Sequence, residues 1–192
     1  MENKCTNNLV NPNWDKHGYI QVYTGNGKGK TTASLGLAMR ALGRCWKVLI
    51  IMFTKGGDDY GELYSFRNLS PEIAENLTII QAGLDRIVYA DNKSEEDKKA
   101  IQKGWELAKK AIQNDEYNLI ILDEANIAID LGFIDLNEMI SVLKNKPEEM
   151  EIVLTGRNAK PEIIDIAHLV SEIQPKKHYW DTGVMARKGI EY

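Results

Sequence analysis

The sequence predicts an α/β protein with a mostly parallel central sheet of about six strands and helices on both faces. Three observations lead to this prediction. Short apolar runs alternate with segments of helical periodicity, which is typical of parallel strands joined by helices. Some runs, such as KVLIIMF at 47–53, are apolar throughout, as expected of strands covered on both faces. A glycine-rich stretch, GNGKG at 25–29, joins the first strand to the first helix.

The strands are predicted from six short runs that are rich in apolar and β-branched residues. They are YIQVYT (19–24), KVLIIMF (47–53), LTIIQA (77–82), NLIILDE (118–124), EIVLTG (151–156) and LVSEIQ (169–174). The fourth run differs from the others because it ends in two acidic residues, Asp123 and Glu124.

Helices are predicted in the segments between these strands. In KTTASLGLAMRALG, directly after the glycine-rich stretch, Leu35, Met39 and Leu42 recur at helical spacing and predict the buried face. A later helix begins after Ser94, where Asp97 stands three residues on, as in a capping box. Its predicted buried face consists of Ile101, Trp105, Ala108 and Ile112. The segment LNEMISVLKN is predicted as a further helix, and Pro161 begins a short one.

Length and composition narrow the class of protein. The chain has 192 residues, which favours one domain, here 18–192, preceded by a flexible polar arm at 1–17. Its net charge of −4 indicates neither a nucleic-acid nor an anionic-membrane partner. The first residues lack the apolar core of a signal peptide, and no stretch reaches the ~18 apolar residues of a membrane span. We therefore expect a cytoplasmic protein.

The stretch YTGNGKGKTT at 23–32 is typical of a phosphate-binding loop, since it joins a strand to a helix. Glycines let successive N–H groups curl around a phosphate, and the helix N-terminus adds its positive end. Lys30 can reach the terminal phosphates, and the Thr31 hydroxyl can bind Mg²⁺. The usual pattern G-x-x-x-x-G-K-[ST] has glycine where this chain has Thr24. The predicted nucleotide-binding residues of the loop are Thr24, Gly25, Asn26, Gly27, Lys28, Gly29, Lys30, Thr31 and Thr32.

Such a site also needs a carboxylate at the end of a neighbouring strand. The run LIILDE supplies Asp123 and Glu124, and one of them would orient Mg²⁺ directly or through water. An acid at this place can instead cap the following helix. Because Mg²⁺ takes only one or two carboxylates, the sequence leaves open which acid contacts it. The sequence thus predicts a Mg-nucleotide site with Lys30, Thr31 and Glu124 as catalytic candidates, and it selects no reaction.

Four segments together form a more specific pattern. They are VYTGNGKGKTTASLGLAMRALG, FTKGG at 53–57 with YGE at 60–62, LDE at 122–124, and the C-terminal stretch from LTGRNAKPE to ARKGIEY. With them the chain from Gly18 to Tyr192 resembles the ATP:corrinoid adenosyltransferases of the CobA/CobO/BtuR family. In that family the loop reads T-G-(D/N)-G-K-G-K-T-T, so Thr24 is the family's own form. The resemblance implies a three-layer P-loop NTPase fold of the RecA-like kind.

The resemblance implies transfer of the 5′-deoxyadenosyl group of ATP to Co(I) of a corrinoid, with release of triphosphate, in adenosylcobalamin biosynthesis or salvage. ATP would be the cosubstrate, its triphosphate held by Lys28, Lys30 and the loop amides from Gly27 to Thr32. Mg²⁺ on Thr31 and an acid would neutralise more charge, and the arginine of LTGR, Arg157, would be a second clamp. A flavodoxin-like or other reduced-flavin electron donor and a homodimer are also implied.

One segment departs from the family pattern. Where the family often has G-F-T-W, with aromatics implicated in displacing the lower axial ligand of cobalt, this chain reads QAGLDRIVYADN. The predicted residues on the corrinoid side in this segment are Leu84, Ile87, Val88 and Tyr89. Lys55 and Glu62 are further candidates for ribose or corrinoid contacts, because loops beyond the carboxyl ends of parallel strands bind ligands.

Three other functions are weighed against the transferase. A P-loop ATPase would give ADP and phosphate as products. A non-catalytic protein would bind nucleotide or corrinoid without reaction, and the missing aromatics favour it most among the three. A nucleoside kinase with a similar core would carry a four-cysteine zinc lobe, which the two cysteines of this chain cannot supply.

Overall fold

The computed structural model describes residues 17–192 and is built on one sheet of six parallel strands. The strands are β1 (Ile20–Thr24), β2 (Val48–Met52), β3 (Leu77–Gln81), β4 (Leu119–Asp123), β5 (Glu151–Thr155) and β6 (Leu169–Glu172). They lie in the order β3-β2-β4-β5-β1-β6, and every pairing between them is parallel. The predicted arm at 1–17 lies outside the described residues except for His17.

Seven helices are found among the described residues. They are α1 (Lys30–Leu42), α2 (Gly61–Arg67), α3 (Pro71–Ala74), α4 (Glu95–Gln113), α5 (Ala125–Asp130), α6 (Leu136–Lys144) and α7 (Pro161–Ile166). A 3₁₀ turn follows at Tyr179–Thr182. The short helices α2, α3 and α5 and the 3₁₀ turn were not predicted, because segments of four to seven residues show too few turns for a periodicity to emerge. Helix α7 is equally short and was predicted from Pro161 at its start.

The sheet separates two apolar cores. On one face, alternate strand residues such as Leu49 and Ile51 pack with residues of α4, α5, α6 and α7. On the other face, their neighbours Val48 and Ile50 pack with residues of α1, α2 and α3. The central strands β2 and β4 are buried along their whole length, which is why they are apolar throughout. The predicted α/β fold with helices on both faces of a parallel sheet is confirmed.

Helix α1 buries only part of the predicted face. Met39, expected to be buried, is 44% exposed, while the face against the sheet consists of Lys30, Ser34, Ala38, Ala41 and Leu42. Leu42 of the predicted pattern is buried and Leu35 is partly buried against the same core, so the pattern identified the helix but not the whole of its buried face. The small serine and alanine side chains let the helix axis lie close to the sheet. This close packing fixes the first turn of α1, which follows the phosphate loop.

Helix α4 begins as predicted. The Ser94 hydroxyl accepts a hydrogen bond from the Asp97 N–H at 3.2 Å, and the Asp97 carboxylate accepts one from the Ser94 N–H at 2.8 Å. This is a complete capping box. The predicted buried face is also confirmed, since Ile101, Trp105, Ala108 and Ile112 are all buried. Asp97 itself is only 1% exposed and also pairs with the guanidinium of Arg86.

The charge of Asp97 is expected to stabilise the fold. Burial alone would raise the pKa of Asp97, but hydrogen bonds from Ser94 and Arg86 bring it below its usual value. A depressed pKa means that the stabilisation is present at neutral pH and is lost as the pH falls through the folded-state pKa. Asp97→Asn should lower the free energy of unfolding by about 1–3 kcal/mol at neutral pH.

This can be measured by urea denaturation across a pH series. The difference between wild type and Asp97→Asn should begin to shrink below about pH 4, where the Asp97 carboxylate of the unfolded chain takes up a proton, and should disappear below the depressed pKa of the folded protein. Asp91→Asn, at an exposed position in the preceding loop, is the matched control and should change stability little. A pH-independent difference for Asp97→Asn would contradict the assigned role of its charge.

Candidate functional site

The loop between β1 and α1 depends on glycines with positive φ. Gly25 has φ 92° and Gly29, the residue before α1, has φ 123°, a region that other residues rarely adopt. The Lys30 ammonium lies back over the loop and donates to the carbonyl oxygens of Gly25 at 2.7 Å and Gly27 at 2.8 Å. Burial lowers the pKa of Lys30. The loop is therefore held in a curled conformation by its own lysine.

The other side of the loop packs against the backbone after β6. The Gly27 N–H donates to the Ile173 carbonyl at 2.7 Å, and the Ile173 N–H donates to the Thr24 carbonyl at 2.9 Å. A Cβ atom at Gly25 would lie 2.5 Å from the Ile173 oxygen, and one at Gly27 would lie 2.8 Å from it. Glycine is thus required here for close packing, and the Gly27 N–H, predicted to contact phosphate, is used within the protein.

Asp123 lies at the centre of a buried polar network. Its Oδ1 accepts hydrogen bonds from the hydroxyls of Thr31 at 2.8 Å and Thr155 at 2.7 Å. Its Oδ2 lies 3.1 Å from Lys55 Nζ, an ion pair outside hydrogen-bond geometry. The carboxylate is fully buried, so these contacts are weakly screened by water. Asp123 therefore joins the ends of β4 and β5 to the first turn of α1.

Glu124 takes a different position from its neighbour Asp123. Its backbone is left-handed, with φ 59°, and its N–H donates to the Thr155 hydroxyl at 2.9 Å. This conformation is uncommon for a residue other than glycine and turns the Glu124 side chain into the cleft beside Gly156. Burial, followed by the nearby charge of Asp123, raises the pKa of the Glu124 carboxyl. The two predicted acids thus have separate environments.

Lys55 and Glu62, predicted to contact ribose or corrinoid from the loop after β2, line the same cleft as the phosphate loop. Glu62 lies in the first turn of α2 rather than in an extended loop, and its Oε1 is 3.5 Å from Lys55 Nζ. Burial alone would lower the pKa of Lys55, but the charges of Asp123 and Glu62 raise it above its usual value. Lys55 therefore remains a cation between the two carboxylates, at the wall of the cleft.

The predicted residues converge on one cleft of about 660 Å³ at the carboxyl edge of the sheet. This volume is in the range of small-molecule sites. The predicted residues that line it are Asn26, Gly27, Lys28, Gly29, Lys30, Thr31, Thr32, Lys55, Glu62, Glu124 and Arg157. Thr24, Gly25 and Asp123 lie beneath this surface. Arg157 is exposed at the rim, in the segment that follows β5.

The C-terminal segment closes one side of the cleft, which no prediction included. His178, Tyr179 and the residues Gly189 to Tyr192 line it. Lys28 Nζ donates to Glu191 Oε1 at 2.7 Å and to the Ile190 carbonyl at 2.6 Å. The only signal in the sequence was the match of ARKGIEY to a family pattern, because the segment has no helical or strand periodicity.

The apolar residues expected on the corrinoid side lie outside the cleft lining, in the loop after β3. Ile87 is 70% exposed and Tyr89 is 59% exposed, whereas Val88 between them is buried. Leu84 is half-buried at the start of the loop. The loop therefore exposes the side chains of Ile87 and Tyr89 to solvent, while Val88 packs against the protein interior.

This loop is fixed at both ends. The Arg86 guanidinium donates to the Asn92 carbonyl at 3.0 Å and pairs with the carboxylate of Asp97 at the start of α4. The Gly83 N–H donates to the Lys55 carbonyl at 3.3 Å, next to the turn that brings Lys55 into the cleft. The exposed apolar loop thus adjoins the wall that carries Lys55.

No helix among residues 17–192 is long and apolar enough to span a membrane. In the same part of the chain, no three His, Cys, Asp or Glu side chains are grouped as a metal site would require.

Comparison with known proteins gives consistent matches. The family model ATP:corrinoid adenosyltransferase BtuR/CobO/CobP matches residues 16–192. The corrinoid adenosyltransferase of Escherichia coli K12 is 34% identical over 178 residues, covering 93% of this chain and 87% of that protein. The corrinoid adenosyltransferase of Pseudomonas aeruginosa is 31% identical over 178 residues, covering 93% and 85%.

Two further matches bear on length and fold. An uncharacterized protein of Nostoc sp. is 37% identical over 183 residues, covering 90% of this chain but 48% of that protein. The chain therefore spans about half the length of this relative. Among solved structures, the flagellar accessory protein FlaH of Methanocaldococcus jannaschii has a TM-score of 0.54 at 16% identity, covering 80% of this chain and 70% of that one. At this identity the likeness concerns the fold alone.

Proposed function

The chain belongs to the ATP:corrinoid adenosyltransferase family, and we propose on this basis that it transfers the 5′-deoxyadenosyl group of ATP to Co(I) of a corrinoid. The observation that supports this most directly is the composition of the cleft. Lys28, Lys30, Lys55 and Arg157 line it together with the N-terminus of α1. Glu62, Glu124 and Glu191 line the same cleft, so the site combines cations for a triphosphate that departs in one piece with carboxylates suited to a divalent metal ion.

In this reaction the protein would position the two substrates and stabilise the negative charge that develops on the leaving triphosphate. The Co(I) electron pair forms the bond to the 5′ carbon, the bond from that carbon to the α-phosphate oxygen breaks, and the oxygen keeps that bond's electron pair. No proton is removed from the nucleophile, so the site needs no general base. Lys30 and the N–H groups at the start of α1 would hold the triphosphate in line and stabilise its growing charge. Arg157 would hold it from the opposite rim.

We propose that Mg²⁺ binds with the triphosphate at Thr31 and Asp123. The residues fit this role, because the two side chains are in contact and Asp123 Oδ2 is buried without a hydrogen bond. Glu124, which faces the cleft, would act through a water molecule. Mg²⁺ usually retains several waters and takes one or two carboxylates, in agreement with this small set of oxygen ligands. The ion would neutralise charge on the leaving triphosphate.

We propose that the corrinoid approaches over the loop after β3. The exposed side chains of Ile87 and Tyr89, next to the wall formed by Lys55, support this position. An apolar surface under the corrinoid would favour loss of the lower axial donor. Four-coordinate cobalt is easier to reduce to Co(I), since losing a donor lowers the energy of the orbital that accepts the electron. Leu84 and Val88 would support this surface from beneath.

Several further features are proposed from the family resemblance. The electron for Co(I) would come from a flavodoxin-like protein or another reduced flavin. The enzyme would act in the cytoplasm as a homodimer, in adenosylcobalamin biosynthesis or salvage. Each of these proposals can be tested separately from the transfer reaction itself.

The transfer reaction is tested by anaerobic incubation of the protein with Mg-ATP and a chemically reduced corrinoid. We expect a light-sensitive cobalt–carbon bond, seen in the absorption spectrum, and one equivalent of intact triphosphate. Formation of ADP and phosphate instead would identify an ATPase. Binding of ATP or corrinoid without any reaction would identify a non-catalytic binding protein.

A further inference from the structure

Lys28 of the phosphate loop is engaged by the C-terminus of the chain. A lysine ammonium has three N–H donors. In the structure Lys28 Nζ lies 2.7 Å from Glu191 Oε1, 2.6 Å from the Ile190 carbonyl oxygen and 3.3 Å from the Tyr179 hydroxyl. All three donors therefore point to the C-terminal part of the chain. In this arrangement Lys28 has no donor left for a phosphate oxygen.

Residues 187–192, which we call the C-terminal strap, are held in place by their own contacts. The Glu191 carboxylate accepts from the Arg187 N–H at 2.8 Å and from its guanidinium at 3.2 Å. The Arg187 guanidinium lies 4.8 Å from the ring centre of Tyr179, and Lys188 pairs with Asp59 at 2.9 Å. The strap thus runs from the phosphate loop to the segment before α2, across one side of the cleft.

Glu191 is the only strap side chain that pairs with Lys28 among the described residues. Its carboxylate is paired with a lysine of the phosphate loop. The N-terminus of α1, next to this loop, also favours negative charge. The side chain of Glu191 is 19% exposed and that of Lys28 is 37% exposed, so an incoming anion can reach this ion pair from the cleft. A triphosphate offers several negative charges against the one charge of Glu191.

We propose that Glu191 competes with the substrate triphosphate for Lys28, so that the strap must release Lys28 before the loop can bind a polyphosphate fully. This inference rests on the proposed binding of the ATP triphosphate at the loop. It assigns two roles to Lys28: it holds the strap in the free protein and binds phosphate in the complex. Glu191 then sets the affinity of the loop for polyanions without contacting them.

The test is calorimetric titration with inorganic triphosphate, which needs no corrinoid. Glu191→Gln should bind triphosphate roughly threefold to tenfold more tightly than wild type, because the neutral amide holds Lys28 less strongly. Glu75→Gln removes an equal charge at an exposed position outside the cleft and should leave the affinity unchanged. Unchanged or weaker binding by Glu191→Gln would overturn the proposal.

A double-mutant cycle isolates the pair. In a Lys28→Ala background the Glu191→Gln change should have no effect on triphosphate affinity. Amide hydrogen exchange in the full chain gives a second readout: triphosphate should accelerate exchange in residues 187–192. Slower exchange there would mean that the strap closes on the ligand, and the proposal would fail.

These results are separable from the proposed transferase function. If no adenosyl transfer is observed but Glu191→Gln binds triphosphate more tightly than wild type, the strap proposal is supported and the transferase assignment is wrong. If transfer is observed while Glu191→Gln weakens binding, only the strap proposal is lost.

Discussion

Lys30→Ala is expected to reduce adenosyl transfer roughly a thousandfold or more and to weaken binding of Mg-ATP. Lys30 lines the cleft at the start of α1, and its ammonium donates to the carbonyls of Gly25 and Gly27. The substitution removes the positive charge that would face the leaving triphosphate. It also leaves the Gly25 and Gly27 carbonyls without their hydrogen-bond donor. The measurements are the rate of cobalt–carbon bond formation under anaerobic conditions and calorimetric titration with Mg-ATP.

Lys103→Ala is the matched control for this change. Lys103 is an exposed lysine of α4, away from the cleft, so the same loss of charge should leave transfer and binding near wild type. Thermal unfolding of both variants separates a loss of chemistry from a loss of folded protein. Near-normal transfer by a folded Lys30→Ala protein would refute the phosphate assignment of the loop.

Asp123→Asn is expected to lower transfer by roughly a hundredfold and to weaken its dependence on Mg²⁺. The asparagine keeps an oxygen that can accept from Thr31 and Thr155, so the hydroxyl network can survive. It removes the negative charge that faces Lys55 at 3.1 Å and that would share in binding the metal. The measurement is a titration of the transfer rate with MgCl₂ at saturating ATP.

The control for this variant is Asp115→Asn. Asp115 is exposed after α4 and has a left-handed backbone with φ 53°, a conformation that asparagine also tolerates. It should leave the magnesium titration unchanged. If Asp123→Asn behaves in the same way, the metal is held elsewhere, and Glu124→Gln becomes the decisive variant.

Much of the fold could be predicted because its central strands β2 and β4 are buried on both faces. A run such as Val48–Met52 can only be apolar in that setting, so its composition identifies it directly. The glycine-rich loop could also be predicted from the sequence, because its backbone conformation requires glycine at several positions. Its lysine and threonine occupy the same cleft as the strand-end acid Glu124. Local residue chemistry at the ends of strands was sufficient to predict this part of the site.

Other features depend on contacts between distant parts of the chain and could not be predicted. The buried face of α1 is set by how closely Ala38 and Ala41 approach the sheet, which leucine spacing does not report. The ion pair between Lys55 and Asp123 joins residues that are 68 positions apart in sequence (123 − 55), and no local pattern indicates it. The contact between Lys28 and Glu191 spans 163 residues and involves a segment without periodicity.

The hydrogen bond from Gly27 to Ile173 has an entropic effect on ligand binding. Fixing the backbone of one residue costs about 1–2 kcal/mol of conformational entropy. Because the loop is tied to the chain after β6 and covered by Lys30, its residues are ordered when the protein folds and not when a ligand arrives. The loop backbone can therefore receive a polyanion with little further loss of conformational freedom, which removes one of the entropic costs of binding.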